Sequence, residues 1–239
     1  KYQAFSPQIE GRSERFEAIA DGVRRFIIGL AKKMIVAGAL GTLATSTFST
    51  PNAQLSMASA WLGALAFTGQ IYFDFSGYSD MAVGLGSMFG FRLPENFDYP
   101  YVSQSVTEFW RRWHMSLTAW FREYIYFPLG GNRVSKLKNL RNILIVWTLT
   151  GLWHGATWSF VVWGLYFGVI MAIEKFVIGD AIERVWRPLR HLGTMLVVIV
   201  GWVFFRSETL GGALQYLQAM AGVGGRALFD PRAVFYLSQ

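Results

Sequence analysis

Residues 143–173 read ILIVWTLTGLWHGATWSFVVWGLYFGVIMAI. Across this run the only Asp, Glu, Lys, Arg or His is His154. As one straight helix it would extend about 46 Å, well beyond a bilayer core of about 30 Å. The sequence therefore predicts two helices with a break near Gly151 to Gly155, meeting close to His154. Such a length of apolar chain marks an integral membrane protein.

Composition agrees. The 239 residues hold 22 basic and 15 acidic side chains, or 15% charged, against about 25% in a soluble domain, and 17% are aromatic. So few charges cannot cover a soluble protein of this size, and the apolar content excludes a disordered chain. The absence of Cys excludes disulfides and thiolate chemistry. In a soluble protein the net charge of +7 would suggest nucleic acid. Here the basic residues cluster between apolar runs, at Arg24-Arg25, Arg133 to Arg141 and Arg184 to Arg190. Positive cytoplasmic loops and anionic lipid headgroups fit better, and no nucleic-acid partner is expected. The opening polar stretch, with Glu10, Glu14 and Glu17, is not a signal peptide.

Working outward, an apolar element covers roughly Val23 to Phe48, broken by Lys32-Lys33, and Ser49 to Asn52 forms a turn. Leu55 to Phe73 is long enough to cross a bilayer. Asp74 to Asp80 is a polar interruption in which both acids act as cap or turn residues. Met81 to Phe91 is a short apolar stretch, and a Pro-rich loop runs to Tyr101. Ser105 and Glu108 form a capping box, from which one helix continues to Pro128. Trp110, Trp113, His114, Leu117 and Phe121 share a face of it. Leu192 to Phe205 and Leu210 to Met220 supply further helices. GVGG at 222–225 follows no strand pattern and is not a phosphate loop.

Among the three histidines, His191 sits beside Arg187 and Arg190 as an interfacial residue. His114 and His154 lie in aromatic, weakly charged stretches, FWRRWHMSLTAW and TGLWHGATW. Ionisable groups inside a membrane are costly and mark functional sites, and imidazole moves protons near neutral pH. No HExxH spacing supports a metal site. Both rings are expected within about 10 Å of each other at a shared cavity, close enough for a substrate to bridge them.

Four stretches in order carry a resemblance: QIYFDFSGYSDMAVGLGSMFGF (70–91), PENFDYPY (94–101), FWRRWHMSLTAWFREYIYFPLGGNR (109–133) and GLWHGATWSFVVWG (151–164). Together they resemble the membrane-bound O-acyltransferase (MBOAT) family, nearest its bacterial alginate O-acetyltransferase-like branch. The resemblance implies an all-α, polytopic integral membrane protein of the bacterial inner membrane. It implies one membrane-embedded acyltransferase domain over 1–239, with a motif core at about 70–164, and a longer parent chain of which this is the C-terminal portion. His154 matches the family's catalytic histidine. His114 matches a second site position that other branches fill with Asn or Asp. Asp74, Ser76, Trp110, Arg111 and Trp153 are candidates to line the substrate tunnel.

The function implied is acetyl transfer from a cytoplasmic thioester, acetyl-CoA or another acyl thioester, toward hydroxyls of an exported, alginate-like polysaccharide. His154 would be the general base on the acceptor hydroxyl, with His114 polarising the carbonyl or orienting His154. An acyl-His intermediate is the alternative. No bound cofactor or metal is expected. The partners are membrane lipids, the polysaccharide acceptor and a periplasmic acyl-handling protein. Two other classes remain open: a proton-coupled transporter subunit of an export complex and a non-catalytic membrane scaffold.

Overall fold

The structure, a computed structural model, describes residues 2–12, 15–51, 54–223 and 227–229. These residues form helices and connecting loops without a β-strand. In order they are α1 (Tyr2–Gly11), α2 (Phe16–Ala31), α3 (Gly38–Ser49), α4 (Met57–Met88), α5 (Val106–Arg112), α6 (Met115–Phe121), α7 (Lys136–His154), α8 (Trp158–Ile173), α9 (Arg187–Arg206) and α10 (Leu210–Met220). Among the described residues, three stretches are long and apolar enough to cross a membrane: Phe16–Ser49, Trp158–Arg184 and Arg187–Arg206. At 20 residues, α9 is about 30 Å long, the thickness of a bilayer core. The expected crossing at Leu55 to Phe73 lies in α4, which is not among the three. Ser, Gly, Trp, Tyr and Gln dilute its apolar residues.

The chain divides into two compact units, one within residues 1–42 and 68–96, the other within 43–67 and 97–239. In the first, α2 and the second half of α4 run antiparallel in backbone contact. A Cβ at Gly22 would stand 2.6 Å from the Gly84 carbonyl oxygen, and one at Gly84 equally close to that of Gly22. Gly29 and Gly77 repeat the arrangement one heptad away. Beside this seam run the ion pairs. The Arg25 guanidinium donates to Asp80 at 2.9 and 3.0 Å and to Glu95 at 2.7 Å. Lys32 donates to Asp80 at 2.7 Å, and Lys33 to Asp74.

These pairs correct three expectations. Lys32-Lys33 do not break the first element, which continues through a π-helical stretch, Lys32–Ala37, into α3. Asp74 and Asp80 are neither caps nor turn residues. They sit inside one continuous 32-residue helix, because cations on the neighbouring helix satisfy them where they stand. Arg24-Arg25 lie within α2 rather than in a loop.

In the second unit Leu55, Ala60, Ala64, Ile199, Val203 and Tyr216 belong to one buried cluster. The Tyr216 hydroxyl donates to the Ala60 carbonyl at 2.9 Å, and Phe48 stacks on its ring at 4.1 Å. α10 begins where expected, with Thr209 accepting from the Gly212 N–H at 3.1 Å. α7 and α8 are the two helices expected from the 143–173 run, packed through glycines. A Cβ at Gly151 would overlap the Phe160 carbonyl oxygen, and one at Gly164 that of Trp147. Gly224-Gly225 of the GVGG motif and Asn52 of the expected turn lie outside the described residues.

Candidate active site

The site lies in the second unit and begins with α5. Its first turn leaves backbone N–H groups without helical partners. Ser105 accepts from the Glu108 N–H at 3.0 Å, as its capping box predicts, while Glu108 reaches back to the N–H of Gln104 at 2.9 Å. A residue not foreseen completes the cap. Glu174, at the end of α8, accepts from the N–H groups of Val106 and Thr107 at 2.7 and 2.8 Å and from the Thr107 hydroxyl at 2.7 Å. A carboxylate there also meets the positive end of the helix. Its cue in the sequence is an acid at the end of a long apolar run. Hydrogen bonds to charged groups contribute about 1.5–3 kcal/mol each. Glu174→Ala is therefore expected to lower the unfolding temperature in detergent, with Glu174→Gln intermediate. An unchanged melt for both variants would remove Glu174 from this role.

The helix expected from Ser105 to Pro128 does not continue. α5 stops at Arg112, whose guanidinium is held by Glu108 at 3.0 Å and by the carboxylate and carbonyl of Asp98 at 3.1 Å each. Trp113 is extended, and His114 adopts left-handed backbone at φ 45°, ψ 54°, before α6 starts. Histidine is among the residues enriched there, and strained backbone of this kind clusters at functional sites. The break does not expose the aromatic residues before it. Trp110 and Trp113 are buried. Trp110 meets Trp147 at 4.8 Å and Phe167 at 4.9 Å, and Trp113 meets Trp202 at 4.9 Å.

His154 is the last residue of α7, where the expected break occurs. Its imidazole lies against Trp153 at 4.8 Å, Trp163 at 5.0 Å, Phe205 at 5.1 Å and Phe160 at 6.3 Å, measured between ring centroids. Aromatic packing fixes the ring, and no hydrogen bond ties up either imidazole nitrogen among the described residues. Both nitrogens are thus open to a reacting group. The His114 ring lies 6.1 Å from Trp153, so one indole contacts both imidazoles and bounds their separation by the sum of the two distances.

The other candidates are distributed as follows. Trp153 is 57% exposed, and Arg111 is exposed. Trp110 joins the histidine cluster through Trp163 at 5.6 Å. Asp74 and Ser76 belong to the first unit, Asp74 paired with Lys33 and Ser76 buried with no hydrogen-bond partner for its hydroxyl among the described residues. His191 stands in α9 with Nδ1 3.1 Å from the Ser103 carbonyl oxygen. Phe160, Trp163 and Phe205 carry no signal of this role in the sequence, because aromatic residues in an apolar run give no cue to which of them surrounds a histidine.

The membrane-bound O-acyltransferase family model matches residues 1–205. The chain is 46% identical over 230 residues to the probable alginate O-acetylase AlgI of Azotobacter vinelandii, covering 96% of this chain and 46% of that protein. It is 38% identical over 229 residues to the peptidoglycan O-acetyltransferase of Helicobacter pylori, covering 93% and 43%. It is 29% identical over 204 residues to the teichoic acid D-alanyltransferase of Bacillus subtilis, covering 81% and 50%. The chain thus spans about half the length of the curated relatives it matches. It is an all-helical membrane chain that belongs to the membrane-bound O-acyltransferase family.

Proposed function

We propose that residues 1–239 act as one membrane-embedded acyltransferase domain of a bacterial inner-membrane O-acetyltransferase. The domain moves an acetyl group from a cytoplasmic thioester toward hydroxyls of an exported polysaccharide. One observation carries the reading: His154, with both nitrogens open, ends α7 in an aromatic clamp and shares Trp153 with His114. The relatives named above, for alginate, peptidoglycan and teichoic acid, share acyl delivery to a polymer. The 46% identity with the alginate O-acetylases favours acetyl as the acyl unit and a polysaccharide as the acceptor.

The chemistry is that of a base placed next to a reacting carbonyl. The acceptor hydroxyl gives its proton to His154 as its oxygen attacks the thioester carbonyl carbon. The C–S bond then breaks, and the thiolate takes the proton back from His154 and leaves as free thiol. His114, which shares Trp153 with His154, polarises the carbonyl or orients His154. The donor is acetyl-CoA or another acyl thioester. A periplasmic acyl-handling protein receives the group where the polymer cannot reach the site. The basic segment Arg133, Lys136, Lys138 and Arg141 faces the cytoplasm by the positive-inside rule.

Inner-membrane vesicles of known orientation carrying the full-length protein test this. Labelled acetyl-CoA offered to the cytoplasmic face is expected to give acetyl ester on the opposite side. Labelled ester only when the donor is offered to the periplasmic face would contradict the direction. No acyl turnover combined with proton flux would instead favour a transporter subunit.

A further inference from the structure

Among the described residues, two buried indole N–H groups near the histidines have no acceptor. Trp110 is 7% exposed and Trp163 1% exposed, and neither Nε1 finds a hydrogen-bond partner. A donor buried without an acceptor is costly, and native structures nearly always satisfy such groups. Two other indoles of the same unit do find acceptors: Trp61 donates to the Met220 carbonyl at 3.0 Å, and Trp202 to the Tyr101 hydroxyl at 3.2 Å. Trp163 is enclosed by Trp110, Trp147, Phe167, Trp202 and Phe205, which offer no lone pair in their rings. The remaining ring neighbour is His154, at 5.0 Å and nearly perpendicular.

We propose that Trp163 is a further catalytic residue whose indole N–H hydrogen-bonds the carbonyl oxygen of the acyl thioester. The proposal rests on the acetyl-transfer reading above. It makes Trp163 the electrophilic half of a pair whose basic half is His154. As the acceptor oxygen attacks, the C=O electron pair moves onto the carbonyl oxygen, where the Trp163 N–H meets the growing negative charge. Collapse restores the C=O bond and expels the thiolate, which takes the proton from His154. In dry surroundings a fixed donor aimed at developing charge is worth far more than in water. The fully buried side chain provides those surroundings. Access would be from the side of His154, whose neighbour Trp153 is exposed. Trp110, 5.6 Å from Trp163 but without a histidine contact of its own, sits one ring further from the chemistry.

The test removes the N–H and keeps the ring. Trp163 is replaced in the full-length, reconstituted protein by 3-benzothienylalanine, which carries sulfur in place of the indole N–H. Trp163→Phe is made in parallel. Acetyl transfer from acetyl-CoA and thermal unfolding are measured for each, beside wild type and a His154→Phe variant. The benzothienyl variant is expected to unfold at the wild-type temperature and to keep KM within about twofold, while kcat falls by about 10²–10³. Trp163→Phe should lose at least as much kcat.

A benzothienyl variant with wild-type kcat overturns the assignment. So does a loss confined to KM, or one that tracks a lowered unfolding temperature, since either marks packing alone. In both cases wild-type activity that is lost in His154→Phe leaves the acetyltransferase reading standing. A wild-type protein that transfers no acetyl group overturns that reading and this one together.

Discussion

His154→Ala is expected to reduce acetyl transfer by about 10²–10⁴-fold, the usual contribution of a general base. Among the described residues the ring makes no hydrogen bond, so its removal leaves no polar partner stranded. It does leave space between Trp153, Phe160, Trp163 and Phe205, and alanine alone would confound chemistry with packing. His154→Phe separates them, because it keeps a flat ring in the clamp and removes both nitrogens. Initial rates from a labelled thioester, normalised to the amount of membrane-inserted protein, read the effect. Both variants should insert normally and both should lose turnover. Near-normal turnover in His154→Phe would refute the role of the imidazole.

Gly164→Val is expected to have the second large effect, on stability and activity together. A Cβ at this position would overlap the backbone carbonyl oxygen of Trp147, and Gly151 lies next to it across the same contact. Backbone cannot swing aside as a flexible side chain does. The helices α7 and α8 must separate, at a cost at or above the roughly 1–3 kcal/mol usual for overpacking. Because α7 carries His154, α8 carries Trp163 and Glu174 directly follows α8, separation also disturbs the imidazole clamp and the cap of α5. Gly193→Ala in α9 is the control, since a Cβ there meets nothing within 4 Å. Thermal unfolding in detergent should show a marked loss for Gly164→Val and none for Gly193→Ala. Equal melts for the two would mean that α7 and α8 do not pack through this glycine.

Patterns that depend on local physics were legible in the sequence. The uncharged run at 143–173 divided at His154, the Ser105 cap formed, and α10 spans Leu210–Met220 as expected. Features that depend on partners far along the chain were not. Asp74 and Asp80 read as interruptions because nothing local shows that Lys33, Arg25 and Lys32 neutralise them. The chain break at Trp113 and His114 was hidden because 109–121 keeps helical spacing throughout. What stops α5 is the hold of Asp98 and Glu108 on Arg112. The left-handed backbone at His114 also gives the resemblance a physical meaning. Asn and Asp, which the resemblance implies at this position in other branches, share histidine's tolerance for that conformation.

The pairing of His114 and His154 around Trp153 is the centre of the account, and a double-variant cycle of acetyl transfer measures it most directly. His114→Gly suits the left-handed backbone and removes only the side chain. His154→Phe keeps the clamp filled. Groups that act as a unit on one substrate give losses far from additive. Each single variant should lower kcat/KM, and in the His154→Phe background the removal of His114 should cost less than about tenfold more. Full multiplication of the two single losses would contradict a shared centre.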